Sequence, residues 1–103
     1  MIETIWTFRV KSEQRREFER HYAPDGSWAK LFQQATGFMG TRLLRDLADP
    51  DRFVTVDTWE SADAMEKFKD QYAREYHQLD RQCSDFTVDE QSLGVFECID
   101  RWG

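Results

Sequence analysis

Residues 37–61, GFMGTRLLRDLADPDRFVTVDTWES, decide the fold of this 103-residue chain. Two runs, 39–46 and 53–59, are rich in Thr, Leu, Val and aromatic residues, the side chains that suit a pleated, half-buried strand. Between them lies Asp49-Pro50-Asp51. Pro50 presets φ for a turn, and the flanking carboxylates can accept nearby backbone N–H groups. The stretch therefore predicts a β-hairpin. A turn centred on residues 48–51 sets Leu44 opposite Thr55 and Arg42 opposite Asp57. A slip of one residue would turn every side chain to the other face. Ser61, a good N-cap, then opens a helix.

Upstream, residues 2–10 alternate. Ile2, Thr4, Trp6, Phe8 and Val10 share one face, and Glu3, Ile5, Thr7 and Arg9 the other. Ser12 is read as the cap of a helix whose inner side carries Phe18 and Tyr22 at i, i+4. Pro24-Asp25-Gly26 interrupts it. A second short helix over 27–35 presents Trp28, Leu31 and Phe32 and ends at Gly37. Downstream, residues 61–82 contain neither Gly nor Pro. Met65, Phe68, Tyr72, Tyr76, Leu79, Cys83 and Phe86 recur in steps of three and four, which predicts one continuous helix about 30 Å long. A polar link over 85–92 leads to a last strand over 93–99, and Trp102 is left in the tail as an apolar residue free to dock. The order β-α-α-β-β-α-β is the split βαβ, ferredoxin-like α+β arrangement, a four-stranded antiparallel sheet with helices on one face. Residues 1–103 read as a single domain without repeats.

The bulk composition narrows the function classes. Hydrophobic residues make up 40% and charged residues 33%, which describes a globular, soluble chain. No apolar run approaches membrane-spanning length, and no leader pattern precedes the first strand, so the expected compartment is the cytoplasm. The formal net charge of −6 opposes phosphate backbones and anionic lipid, so neither nucleic acid nor membrane is an expected partner. Cys83 and Cys98 lack CxxC or His-spaced companions and read as two buried, reduced thiols rather than zinc ligands. No phosphate-binding glycine motif is present.

Helices can cover only one sheet face, yet both parities of the strands carry apolar side chains: Phe53 and Trp59 against Val54 and Val56, Met39 and Leu43 against Leu44, Leu93, Val95 and Ile99 against Phe96 and Cys98. That pattern fits a sheet buried on both sides. The expected cover for the second face is an identical sheet in an isologous homodimer.

Several residues are candidates for chemistry. Asp57 places a charge inside an apolar strand, where it needs a partner or a raised pKa. It is either a base facing a pocket or half of an ion pair with Arg42 or Arg9. His77, beside the apolar stripe, is a candidate base or iron ligand, or a surface histidine near Asp80. Tyr72 and Tyr76 lie one turn apart and can either bind a polar substrate edge or pack in the core. Trp6, Trp28 and Trp59 can line a pocket for an aromatic ligand.

Gly37-Phe38 entering the second strand, Thr41-Arg42-Leu43-Leu44-Arg45-Asp46, the Pro-containing turn, Arg52-Phe53-Val54-Thr55-Val56-Asp57 and Trp59-Glu60-Ser61 resemble the antibiotic-biosynthesis monooxygenase (ABM) family, with Phe8-Arg9-Val10 fitting its first strand. The segment 22–28, YAPDGSW, is similar to an uncharacterised branch of that family. The resemblance implies a dimeric α+β barrel and cofactor-free oxygenation of an aromatic or quinol-like small molecule. A base, Asp57 or His77, would take the substrate's proton before the anion meets O2. It also implies a pocket between helices and sheet lined by Trp59 and by the position four residues earlier, Asn in the anthrone oxygenases and Thr55 here. The family's haem-degrading branch gives the alternative, with haem held by His77. That branch carries an Asn in the first strand and a Trp on the long helix. This chain has Ile5, Trp6 or Thr7 and Phe68 there. A non-catalytic dimeric ligand-binding or accessory protein is the third reading.

Overall fold

Strands β1 (Ile2–Val10), β2 (Phe38–Arg45), β3 (Arg52–Trp59) and β4 (Thr87–Glu97) form one antiparallel sheet in the order β2-β3-β1-β4. The computed structural model describes residues 1–100; Trp102 lies outside the described residues. Helices α1 (Arg15–Tyr22), α2 (Ser27–Phe32), α3 (Ala62–Gln71) and α4 (Ala73–Cys83) connect the strands. This is the expected ferredoxin-like α+β fold.

The hairpin forms where expected, but its register differs by one residue. Leu43 pairs with Thr55, Thr41 with Asp57, Leu44 with Val54 and Arg42 with Val56. The turn explains the shift. Asp46 N–H donates to the Arg52 carbonyl at 2.9 Å and Arg52 N–H to the Asp49 carbonyl at 3.1 Å. The Asp46 carboxylate accepts Ala48 N–H at 2.8 Å and the Asp49 carboxylate accepts Asp51 N–H at 3.1 Å. Two such Asx turns in succession centre the connection on Asp49 rather than on 48–51. Arg9 clamps it from β1, 2.6 Å from Asp49.

The helices cover the face carrying Trp6 and Phe8 of β1 and Phe53, Thr55 and Trp59 of β3, with Phe8, Phe53, Thr55 and Trp59 all buried. Phe18 and Tyr22 of α1 stack at 4.1 Å and meet Phe8 edge-on, at 5.2 and 5.1 Å. Phe32 of α2 meets Trp59 and Phe68 at 5.7 and 5.1 Å. Aromatic pairs in such geometries contribute roughly 0.5–1.5 kcal/mol each beyond area burial.

Four other expectations are corrected. Ser12 does not cap α1; its hydroxyl donates to Asp51 at 2.7 Å, and a 3-10 turn, Ser12–Gln14, precedes the helix. The second helix stops at Phe32 and gives way to turns before Gly37. The long helix is broken at Tyr72, whose φ of −114° and ψ of 25° leave the helical range. The apolar stripe survives the break because Tyr72 N–H still bonds to the Phe68 carbonyl and Tyr76 N–H to the Tyr72 carbonyl, each at 2.9 Å. Finally, β4 begins at Thr87, not at 93, and ends at Glu97. Its first half is a polar edge strand, with Glu90 opposite Phe8 and Asp89 opposite Arg9; edge strands tolerate polar sequence that reads as loop. Ser61 caps α3 as expected, accepting Ala64 N–H at 3.1 Å. Cys83 is buried and Cys98 only half-buried; both are free.

Candidate functional site

A cavity of about 250 Å³ opens between the helices and the sheet. Its floor is built by alternation: Thr4, Trp6 and Phe8 from β1, Thr55, Asp57 and Trp59 from β3, and Thr41 from β2 all point to this face. The one-residue difference in hairpin register matters here, because it puts Thr41 rather than Arg42 beside Asp57. Tyr22, Trp28, Phe32, Met65, Phe68 and Tyr76 close the cavity from the helices. Trp28 meets Tyr76 edge-on at 5.0 Å, and Trp59 lies 5.3 Å from Phe68. The exposed side chains Lys69, Asp80 and Glu90 line its rim.

Asp57 is the carboxylate on this floor. The Thr41 hydroxyl donates to its Oδ1 at 2.5 Å. The two guanidiniums that sequence offered as partners are engaged elsewhere: Arg42 approaches Glu3 at 3.7 Å on the opposite face, and Arg9 pairs with Asp49. Among the described residues no cation forms a salt bridge with Asp57. Burial pushes its carboxyl from the ordinary 3.8 up to about 6, and the Thr41 hydrogen bond only partly offsets that. Asp57 is thus mostly ionised at neutral pH yet far more basic than an exposed aspartate. The Tyr76 phenol is pushed up as well, first by burial and then by Asp80, Glu90 and Asp57.

The remaining wall groups are polar without being readily ionised. Burial raises the Tyr22 phenol well above its ordinary value, so it stays protonated, and burial also raises the thiol of Cys83, which lies outside the cavity lining. The buried indole N–H of Trp28 lies against the Tyr22 hydroxyl and the Cys83 sulfur, and its interaction with each partly offsets the effect of burial.

The structure thus brings Asp57, Trp59, Thr55, Trp6, Trp28 and Tyr76 together around one space. It does not bring Tyr72 and His77 there. Tyr72 stacks on Phe68 at 5.4 Å and donates its hydroxyl to the Gln34 carbonyl at 3.2 Å. His77 is exposed on α4, edge-on to Tyr76 at 6.2 Å. The other histidine, His21, is buried with Nδ1 hydrogen-bonded to the Ser27 hydroxyl at 2.7 Å. Neither imidazole lines the cavity, and among the described residues no cluster of three His, Cys, Asp or Glu side chains could hold a metal ion. Sequence reasoning missed Thr41, Phe32, Phe68 and Glu90 as lining residues. A correct register would have found Thr41. Nothing in the polar run around Glu90 signals a strand facing a cavity.

A ferredoxin-like α+β domain with an aromatic cavity between helices and sheet defines the class. The family model for antibiotic biosynthesis monooxygenases matches residues 1–78, and the chain belongs to that family. Solved structures agree on the fold. A point mutant of SnoaB, described as a cofactor-independent oxygenase from Streptomyces nogalater, is similar at 20% identity and a TM-score of 0.80, over 97% of this chain and 94% of that one. A point mutant of MhuD, described with two manganese protoporphyrin IX molecules per active site, is similar at 23% identity and a TM-score of 0.76, over 100% and 99%. A Bordetella bronchiseptica protein described within the same monooxygenase class matches at 24% identity and a TM-score of 0.76, over 95% and 96%. No curated protein sequence matches the chain.

Proposed function

We propose that this protein is a cofactor-independent monooxygenase acting on an electron-rich aromatic, quinol-like small molecule, with Asp57 as general base. The observation that carries the reading is a half-buried carboxylate with a pKa near 6, held by a hydroxyl rather than a cation, on the floor of a cavity walled by aromatic rings. A cavity of this size lies just below the common range for small-molecule sites and suits a ligand of one to three rings. Trp6, Trp28 and Trp59 sandwich the substrate ring, Thr55 shapes the floor, and the Tyr76 hydroxyl orients its oxygens. Asp57 removes the phenolic proton. The phenolate reduces O2 and forms a C–O bond at a ring carbon. The resulting peroxide anion takes the proton back from Asp57, and the hydroperoxide loses water together with the hydrogen on the same carbon to leave a quinone carbonyl, so one oxygen atom enters the product and the other leaves as water. Expulsion of solvent by the aromatic walls protects the reactive anion.

The test is oxygen uptake with a panel of anthrones and quinols. Asp57→Asn keeps the Thr41 contact but cannot accept the proton, and is expected to lower kcat by about 10²-fold or more. His77→Ala is expected to leave turnover within about twofold. Unchanged turnover in Asp57→Asn defeats the assignment.

The residues present do not fit haem, because among the described residues no histidine lines the cavity. Haemin titrated into the protein should keep the Soret band of free haemin, with His77→Ala no different. A saturable, shifted band at one haem per subunit that His77→Ala abolishes would put haem chemistry first. We further propose that the sheet face opposite the helices, where Leu44 is 47% and Phe96 45% exposed, packs on a second copy of the chain.

A further inference from the structure

Strand β2 reaches Asp57 through a bulge. Phe38 stands opposite Trp59, but Gly40 stands opposite Thr58 and Thr41 opposite Asp57. In an unbroken ladder running on from the Phe38–Trp59 pair, Gly40 would stand opposite Asp57 and Thr41 would turn to the other side of the sheet. The extra residue is taken up at Gly40, whose φ of 152° is one that favours glycine. The bulge therefore sets a hydroxyl, where an unbulged strand would set a hydrogen atom, beside the carboxylate on the cavity floor.

That hydroxyl anchors the carboxylate. Thr41 donates to Oδ1 at 2.5 Å, and among the described residues no other hydrogen bond or ion pair reaches the Asp57 side chain. Oδ1 is thus engaged and Oδ2 is left to accept a proton. The terminal torsion of an aspartate is broad, so a carboxylate without an anchor turns readily about it. A general base has to meet its proton within hydrogen-bond reach, and a misplacement of about 1 Å can cost about 10²-fold in rate.

We infer that Thr41 is the positioning residue of the Asp57 base: its hydroxyl holds Oδ1 so that Oδ2 meets the proton of the substrate. This rests on the general-base reading above and adds to it the group that orients the base. The other titratable and charged groups around the cavity are Tyr22 of α1, Lys69 of α3, Tyr76 and Asp80 of α4 and Glu90 of β4. A substitution at Thr41 leaves all five in place.

The test compares Thr41→Val, which keeps the branched shape and removes the donor, with Thr41→Ser, which keeps the donor. The Asp57 side-chain carbonyl carbon is followed by NMR, and oxygen uptake with the anthrone and quinol panel gives kcat and KM against pH. The hydroxyl favours the ionised carboxylate, so in Thr41→Val the midpoint should rise from about 6 by about half a unit or more. On the alkaline plateau kcat should fall by about tenfold or more with KM within about threefold, and the acid limb of the profile should move up with the midpoint. Thr41→Ser should keep the parent midpoint, and its kcat to within about twofold. A midpoint unmoved in Thr41→Val, a kcat unmoved there, or a serine variant as impaired as the valine one overturns the positioning role and leaves Asp57 standing as the base. Turnover that survives Asp57→Asn, or no turnover in the parent protein, overturns the general-base reading and this role with it.

Discussion

Asp57 illustrates how a buried carboxylate can weaken the fold that carries it. Its carboxyl titrates near 6 in the native state and near 3.8 when solvated. Below pH 3.8 it is protonated in both states and carries no penalty. As pH rises from there to 6 the unfolded chain loses the proton first, and the native state is progressively disfavoured. Above 6 the penalty is constant, about 2–3 kcal/mol from a shift of about two units. Asp57→Asn is therefore expected to raise stability by about that amount at pH 7.5 and by almost nothing at pH 3.5, measured by urea unfolding at both values. A variant less stable than the parent at pH 7.5 would mean the carboxylate is held by something better than Thr41. The oddity of an Asp in this strand is visible in the sequence. Which face it takes is not, since Asp57 faces Thr41 or Arg42 according to a turn whose Asx hydrogen bonds no pattern of hydrophobicity reports. The aromatic pocket residues are legible as bulky apolar positions, but the break of the helix at Tyr72, which separates the surroundings of Tyr72 from those of Tyr76, is not.

Gly37 sits at φ 94°, and a Cβ there would lie 2.7 Å from the Ala64 Cβ. Its carbonyl accepts Glu60 N–H at 2.7 Å, tying the start of β2 to the end of β3. Gly37→Ala combines a left-handed backbone with a steric overlap and is expected to destabilise by about 2 kcal/mol or more, read as a fall in the urea midpoint. A midpoint unchanged within error would show that the α3 contact yields freely. The element order was legible because alternation, the Pro-Asp-Gly break and the Ser61 cap are strong local signals. The start of β4 and the break in the long helix were the least legible boundaries. The first half of β4 is polar because it forms an exposed edge, so period and composition both describe a loop. The break at Tyr72 has no Gly or Pro to announce it, and there the Tyr72 hydroxyl is tied to Gln34 beyond α2.

Taken as a whole, the chain places its helices on one sheet face and leaves the other mixed: Leu44 and Phe96 are well exposed beside Ile5, Val54 and Val56, with the Glu3–Arg42 pair among them. Light scattering at micromolar concentration is expected to give twice the 12.3 kDa of the chain, and Phe96→Glu to shift it toward the monomer. A monomer in the parent protein would contradict the pairing of sheets. Fold class followed from the sequence because four strands and their helices admit few unknotted arrangements. Beyond family membership the sequence left the lining of the cavity open, because that lining depends on register. The central claim is that a basic carboxylate waits inside that cavity, and it can be read directly by following the Asp57 side-chain carbonyl carbon by NMR as pH is varied. A midpoint near 6 is the predicted result. A midpoint near 4 would describe a well-solvated aspartate and would remove the general base from the account.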